Sequence, residues 1–255
     1  GFDTLSGLTP IALELRENGA IIINDVTHAL YSEFTDLHAD YFIGSLRKWA
    51  PLLDGGFAVK SNGLFGAKPE RIDLAYREAK LKALHTKYLY IVKNRGKKEQ
   101  FRRLYKYAEE LLSKQSKFFT MTDESRYIQA NLDLCTLRSK RRTNYQNLLD
   151  VIGEEDLMEK VVEPVFKYLP KGVTPLYFPV YVKGNRSNLQ RFLAKQNIYC
   201  PIIWPKSNLI PSDISESVNW LYEHILAIPC DQRYGSADMQ RIGEVVATLQ
   251  CDDAE

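Results

Sequence analysis

Residues 20–26 read AIIINDV, a continuous apolar run of strand length that stops at Asn24 and Asp25. Such a run predicts a strand covered on both faces, because a strand with one wet face alternates apolar with polar residues. A short helix leads into it: Leu8, Ile11, Ala12 and Leu15 recur at helical spacing, Pro10 suits a first turn and Gly19 is a stop signal. Helix followed by buried strand predicts an α/β layer architecture, in which ligands gather at the carboxyl ends of the strands. Asp25 stands at such an end.

Two further runs, ADYFIGSL and GGFAVK, predict short strands, with Lys48 in the connection and the turn Asp54-Gly55-Gly56 closing it. Three strands and one helix make an incomplete sheet. The chain also opens GFDTLSGLTP without a methionine, so a longer parent protein is expected. Within residues 68–115, Ile72, Ala75, Ala79 and Ala83 predict one amphipathic helix. After the break Asn94-Arg95-Gly96, Phe101, Leu104, Ala108 and Leu111 predict a second. Thr122, followed by Asp123 and Glu124, is read as the N-cap of a third helix running toward Asn147. TPLYFPVYV and IYCPIIW are β-type runs, a helix from about Glu216 to Ile225 leads into LAIPC, and Ser236 begins a last helix. The second half is thus expected to be α+β.

Charge excludes several partners. With 34 basic against 32 acidic side chains the net charge is only +2, so no global field favours nucleic acid or an anionic membrane. The basic runs KNRGKKEQFRRLYK and RSKRRTNY are read as solvated helix faces. No apolar stretch approaches the roughly 20 residues that span a bilayer. Cys135, Cys200, Cys230 and Cys251 are widely spaced and form no CxxC, so neither a metal site nor a disulfide framework is expected, and a reducing cytoplasm fits best.

Asp25, His28, Ser45 and Lys48 place an acid, an imidazole, a hydroxyl and an amine near two adjacent strand ends. Singly, each has a plain structural reading: cap, loop histidine, turn former, surface lysine. Together they match the needs of pyridoxal phosphate (PLP). That cofactor takes a lysine for its Schiff base, a carboxylate to keep its ring nitrogen protonated, and donors for its phenolic oxygen and phosphate.

At these residues the sequence resembles the DegT/StrS-like family of fold type I PLP aminotransferases, which includes many sugar aminotransferases. GFDTLSGLTPIALELRENGAIIINDVTHAL is similar to the family's helix and strand leading into its Asp-x-Ala/Thr-His/Gln motif, here Asp25, Val26, Thr27 and His28. GSLRKWAPLLDGG resembles the lysine loop, with Lys48 in the Schiff-base position. KRRTNYQNLL and ILAIPCDQRYGSADMQRIGEVV resemble the start and end of the smaller C-terminal domain. Two departures stand out: the family's earlier phosphate loop and ring-stacking aromatic have no counterpart, and SNGLFGAKPERIDLAYREAK replaces the usual Gly-Tyr-Asn segment.

The resemblance implies the C-terminal part of a fold type I transferase: residues 1–66 the remainder of the PLP-binding large domain, 67–120 a helical connector, and 121–255 a small α+β domain. It implies that Lys48 forms the Schiff base and shuttles the proton, Asp25 pairs with the pyridinium nitrogen, His28 bonds the phenolic oxygen, Thr27 lies against a ring face and Ser45 reaches the phosphate. It further implies a homodimer that moves an amino group from a small donor to a keto sugar or another small oxo compound. Tyr177, Trp204 and Arg233 are possible substrate-side residues. A PLP-dependent lyase and a shortened homologue serving only as a binding module are the alternatives.

Overall fold

A computed structural model of the chain describes residues 8–33, 39–153, 161–203, 205–211 and 213–249. They pack as two compact units, residues 8–27 with 39–132, and residues 28–33 with 133–249.

The first unit opens with α1 (Thr9–Glu17), which carries Pro10 in its first turn and buries Ala12. Its sheet holds β1 (Ile23–Asp25), β2 (Tyr41–Ser45) and β3 (Gly56–Lys60) in that order, β1 parallel to β2 and β2 antiparallel to β3. The expected strand covered on both faces is corrected here. β1 is three residues long, Asn24 is buried, and Ile23 and Asp25 are exposed. Successive side chains point to opposite faces, and β1 has a strand neighbour on one side only among the described residues. The isoleucines express a demand for cover that the described residues leave unmet.

After β3 come α2 (Leu74–Lys93) and α3 (Lys98–Ser113). Asp73 caps α2 by accepting from Tyr76 N at 3.0 Å, and Asn94, left-handed at φ 54°, ends it. The buried stripe of α2 is Tyr76, Ala79, Lys80 and Ala83, whereas Ala75, assigned to that stripe from spacing, is exposed. In α3 Phe101 and Ala108 are buried as expected, and Arg102, Arg103 and Lys106 face solvent.

Thr122 does cap a helix, accepting from Ser125 N, but α4 (Asp123–Ala130) stops well short of Asn147. Asp133 takes the N–H of Thr136 at 3.0 Å and opens a separate helix, α5 (Leu134–Ile152). A second capping side chain, the Asp133 carboxylate, restarted the helix after the Thr122 cap.

The second unit contains α5, β4 (Val162–Pro164), β5 (Phe178–Val182), α6 (Arg186–Lys195), α7 (Glu216–His224), β6 (Ile225–Ile228) and α8 (Ser236–Ala247). Its sheet is antiparallel in the order β4-β5-β6. Tyr145, Leu148 and Ile152 of α5 share a core with Phe178, Val180, Leu193, Leu226, Ile228, Met239 and Val246. α8 packs so closely on α5 that a Cβ at Gly243 would lie 1.9 Å from Val151 Cγ1. β4 and α6 carry no expectation from sequence. The expected strand in IYCPIIW is absent over residues 198–203, although Ile198 and Cys200 are buried. Pro201 accepts one bond from Ala227 N at 3.3 Å and has no N–H to return, so no ladder forms there. Trp204 lies outside the described residues. Among the described residues no helix is long and apolar enough to cross a membrane, and Cys135, Cys200 and Cys230 are free thiols.

Candidate functional site

In the first unit the pairing register decides which side chains share a face. Asp25 stands opposite Ile43, and Ser45 opposite Gly56. Ile43 and Ser45 are two residues apart on β2, so Asp25, Ile43 and Ser45 lie on one sheet face. Asp25 and Ile43 are exposed there and Ser45 is half-buried.

The turn after β1 organises this edge. Asp25 Oδ1 accepts from Thr27 N at 2.9 Å, a local bond that aspartate forms readily beyond a strand. Thr27 Oγ1 in turn accepts from Ser45 N at 3.0 Å, joining the turn to the end of β2. Trp49, only 1% exposed, donates from Nε1 to Thr27 O at 2.8 Å. Thr27 therefore spends its hydroxyl and its carbonyl on holding the two strand ends in register.

Between Ser45 and Trp49 the chain makes a 3₁₀ turn, Leu46–Lys48. Lys48 is exposed while the next residue is buried, so the turn projects the amine outward from a fixed base. Lys48 Nζ, Asp25 Oδ2 and Ser45 Oγ make no hydrogen bond or ion pair among the described residues. The segment closes on Gly55, whose φ of +123° admits glycine and few other residues. Sequence reasoning missed four residues that hold this segment: Arg47, Tyr76, Glu109 and Ser125. Arg47 was visible only as the neighbour of Lys48.

His28, next in the chain after Thr27, belongs to the second unit. Its ring meets that of Tyr177 edge-on, with centroids 6.5 Å apart. Burial raises the Tyr177 phenol, with the Arg141 charge opposing. Arg233 Nε and Nη2 donate to Asp231 Oδ1 and Oδ2 at 2.8 and 2.7 Å. Burial acts upward on the Asp231 carboxyl, but these bonds and the Arg233 charge hold it below the usual range. The solvated-face reading of RSKRRTNY is corrected at Arg141, which is 2% exposed and donates to Pro175 O, Leu176 O and Gln232 Oε1. Its guanidinium donors are thus taken up by backbone carbonyls inside the unit.

No protein-family model matches this sequence, and no curated protein matches it. Solved structures do. A DegT/DnrJ/EryC1/StrS aminotransferase from Brucella abortus aligns over 93% of this chain at TM-score 0.54 and 15% identity. DesI, solved in the presence of its TDP-sugar product, aligns over 92% at TM-score 0.57 and 14% identity. A Streptococcus pneumoniae protein named as a sugar aminotransferase, in its PMP form, aligns over 89% at TM-score 0.54 and 16% identity. The chain has the fold of part of a DegT/StrS aminotransferase. It spans 59%, 58% and 58% of the length of these three chains. Within this aminotransferase fold, Asp25, Ser45 and Lys48 sit at or just beyond the carboxyl ends of the parallel pair β1 and β2, the edge where open α/β sheets take ligands.

Proposed function

We propose that the chain carries the lysine side of a PLP-dependent aminotransferase site. The observation that supports this most is that, among the described residues, Lys48 Nζ, Asp25 Oδ2 and Ser45 Oγ make no hydrogen bond or ion pair at one sheet end, around a turn that is itself closely held. That donor set fits the cofactor: an amine for its aldehyde, a carboxylate for its ring nitrogen and a hydroxyl for its phosphate. When bound, PLP would supply an electrophilic carbonyl and a ring that draws electrons from the substrate carbon.

The chain's own groups do the rest. Lys48 Nζ would be the nucleophile and the base that moves the proton. Asp25 Oδ2 would hold the proton of the ring nitrogen, while Thr27 N donates to Oδ1 and so fixes the carboxylate's orientation. Ser45 Oγ would donate to the phosphate. His28 is assigned to the phenolic oxygen and Thr27 to the ring face, the latter through its methyl because its hydroxyl serves Ser45 N. The amino acceptor proposed is a keto sugar or another small oxo compound, the donor a small amine, and the working form a cytoplasmic homodimer. DesI with its TDP-sugar product supports the sugar class.

The test is incubation with PLP, borohydride reduction and peptide mass mapping of the wild type and Lys48→Met. An adduct on Lys48 that disappears in the variant supports the reading. An adduct elsewhere, or none in this chain and none in a longer parent protein, overturns it. The exposure of Asp25 favours a second reading, a binding module without catalysis, since an electron-sink ion pair works best away from water. A PLP-dependent lyase would show the same adduct but consume no amino donor.

A further inference from the structure

The Lys48 segment is gripped from outside its own sheet. Arg47 Nη1 donates to Glu109 Oε1 of α3 at 3.3 Å and to Tyr76 Oη of α2 at 3.4 Å. Glu109 Oε1 also accepts from Lys80 Nζ at 2.7 Å, and Lys80, 6% exposed, lies over the Tyr105 ring at 4.9 Å. Tyr76 Oη passes its own proton on, donating to Leu53 O at 2.7 Å. One phenol thus joins the start of the lysine segment to its end. Leu46 N donates to Gly55 O at 3.2 Å, which closes the same loop through the backbone. At the far end Ser125 Oγ accepts from Leu53 N and Asp54 N at 3.0 and 3.3 Å, and Asp54 accepts from Thr122 N and Oγ1 at the start of α4.

Geometry makes this more than packing. The segment Leu46–Gly55 is bonded at both ends, while Lys48 and Pro51 are its exposed side chains. Arg47 and Lys48 are adjacent in one 3₁₀ turn, so fixing the Arg47 guanidinium fixes the rotation of the turn and the direction in which the Lys48 side chain departs. A carboxylate that binds two cations, one of them buried, is costly to move, because displacement would leave the Lys80 charge without its partner.

We infer that Glu109 and Tyr76 are positioning residues for Lys48, acting through Arg47 to hold the amine in its reactive direction. The inference rests on the PLP reading for its chemical consequence, but not for the tether itself. The α2–α3 hairpin, distant in sequence from the lysine, thereby becomes part of the site's support.

The test uses Tyr76→Phe, Glu109→Gln, Arg47→Gln and the double variant Glu109→Gln/Arg47→Gln, with Glu110→Gln as a surface control. Tyr76→Phe keeps the buried ring and removes the hydroxyl, so it is the variant least able to fail by misfolding. Hydrogen exchange of the peptide covering residues 46–56 is measured without cofactor, and the rate of borohydride-trapped PLP adduct formation on Lys48 is measured with it. Exchange in that peptide is expected to rise about five- to tenfold in each single variant, with peptides of α5 unchanged. Trapping on Lys48 is expected to slow about tenfold or more, since misdirection of a nucleophile costs rate steeply. The double variant is expected to be no slower than Arg47→Gln alone, the signature of a residue acting through another. Unchanged exchange, unchanged trapping despite faster exchange, or additive effects in the double variant would each overturn the inference. If neither this chain nor a longer version of it forms an adduct on Lys48, the cofactor reading falls, and the exchange comparison still decides whether Glu109 and Tyr76 hold the segment.

Discussion

Asp25 and Lys48 divide the proposed chemistry between a charge that stays and a proton that moves. Replacing Asp25 with Asn leaves the bond from Thr27 N available but removes the negative charge. The expected result is an amino-transfer rate lower by about 10²-fold or more, with Lys48 still trapped by borohydride, as read by single-turnover kinetics beside peptide mapping. Glu109 adds a pH dependence. Burial acts upward on its carboxyl, but the hydrogen bonds and charges of Lys80 and Arg47 outweigh it and hold the group below its ordinary 4.5. A depressed folded value means that the tether is fully present above about pH 4.5 and is lost as pH falls through the lowered value. Protection of residues 46–56, corrected for intrinsic exchange, is therefore expected to fall on acidification in the wild type and to stay flat in Glu109→Gln. The cysteines give a separate check. Burial pushes the Cys200 and Cys230 thiols up to about 12, while Cys135 is exposed. Mass mapping after brief alkylation at pH 8 should find Cys135 modified and those two untouched until the protein unfolds. Lysine and aspartate were legible as residue types at strand ends. The Arg47–Glu109 contact was not, because 62 residues separate its partners and no local pattern encodes such a pairing.

Elements were legible where the signal is local. Caps at Asp73, Thr122 and Asp133 and the left-handed Asn94 are each set by a few neighbouring backbone groups, and the helices begin or end at them. The boundary between α4 and α5 also has a local mark, the Asp133 cap, beside the Thr122 cap that opens α4. The close approach of α5 and α8 was invisible, since Gly243 in a helix suggests only lower propensity. Gly243→Ala is expected to destabilise the protein by about 1–3 kcal/mol, because the new methyl must displace Val151, and urea unfolding monitored in the second unit measures it. Gly55→Ala meets a different obstacle. Its φ of +123° is strained for any side chain, and the Cβ would approach Met121 Cε to 2.9 Å. A loss of about 1–3 kcal/mol with faster exchange in residues 46–56 is the expected outcome.

At the scale of the whole molecule, Ile21, Ile23 and Ile43 are 68%, 59% and 38% exposed on or beside the open part of the first sheet. Large aliphatic side chains beside an unpaired strand edge favour association. Sedimentation velocity on purified chain should therefore show a dimer or larger species, with Ile23→Thr/Ile43→Thr shifting it toward monomer, and a monodisperse wild-type monomer would contradict this. The sequence by itself determined the α/β character, most of the helices, and the placing of Asp25 and Lys48 at neighbouring strand ends, because hydrophobic period, capping and turn chemistry act over a few residues. Tertiary structure alone decided that β1 is bare on one face among the described residues, that Arg141 is buried among carbonyls, and that α2 and α3 hold the lysine turn. Those depend on which distant surfaces meet, and burial or pairing at that range leaves no periodic mark on the chain.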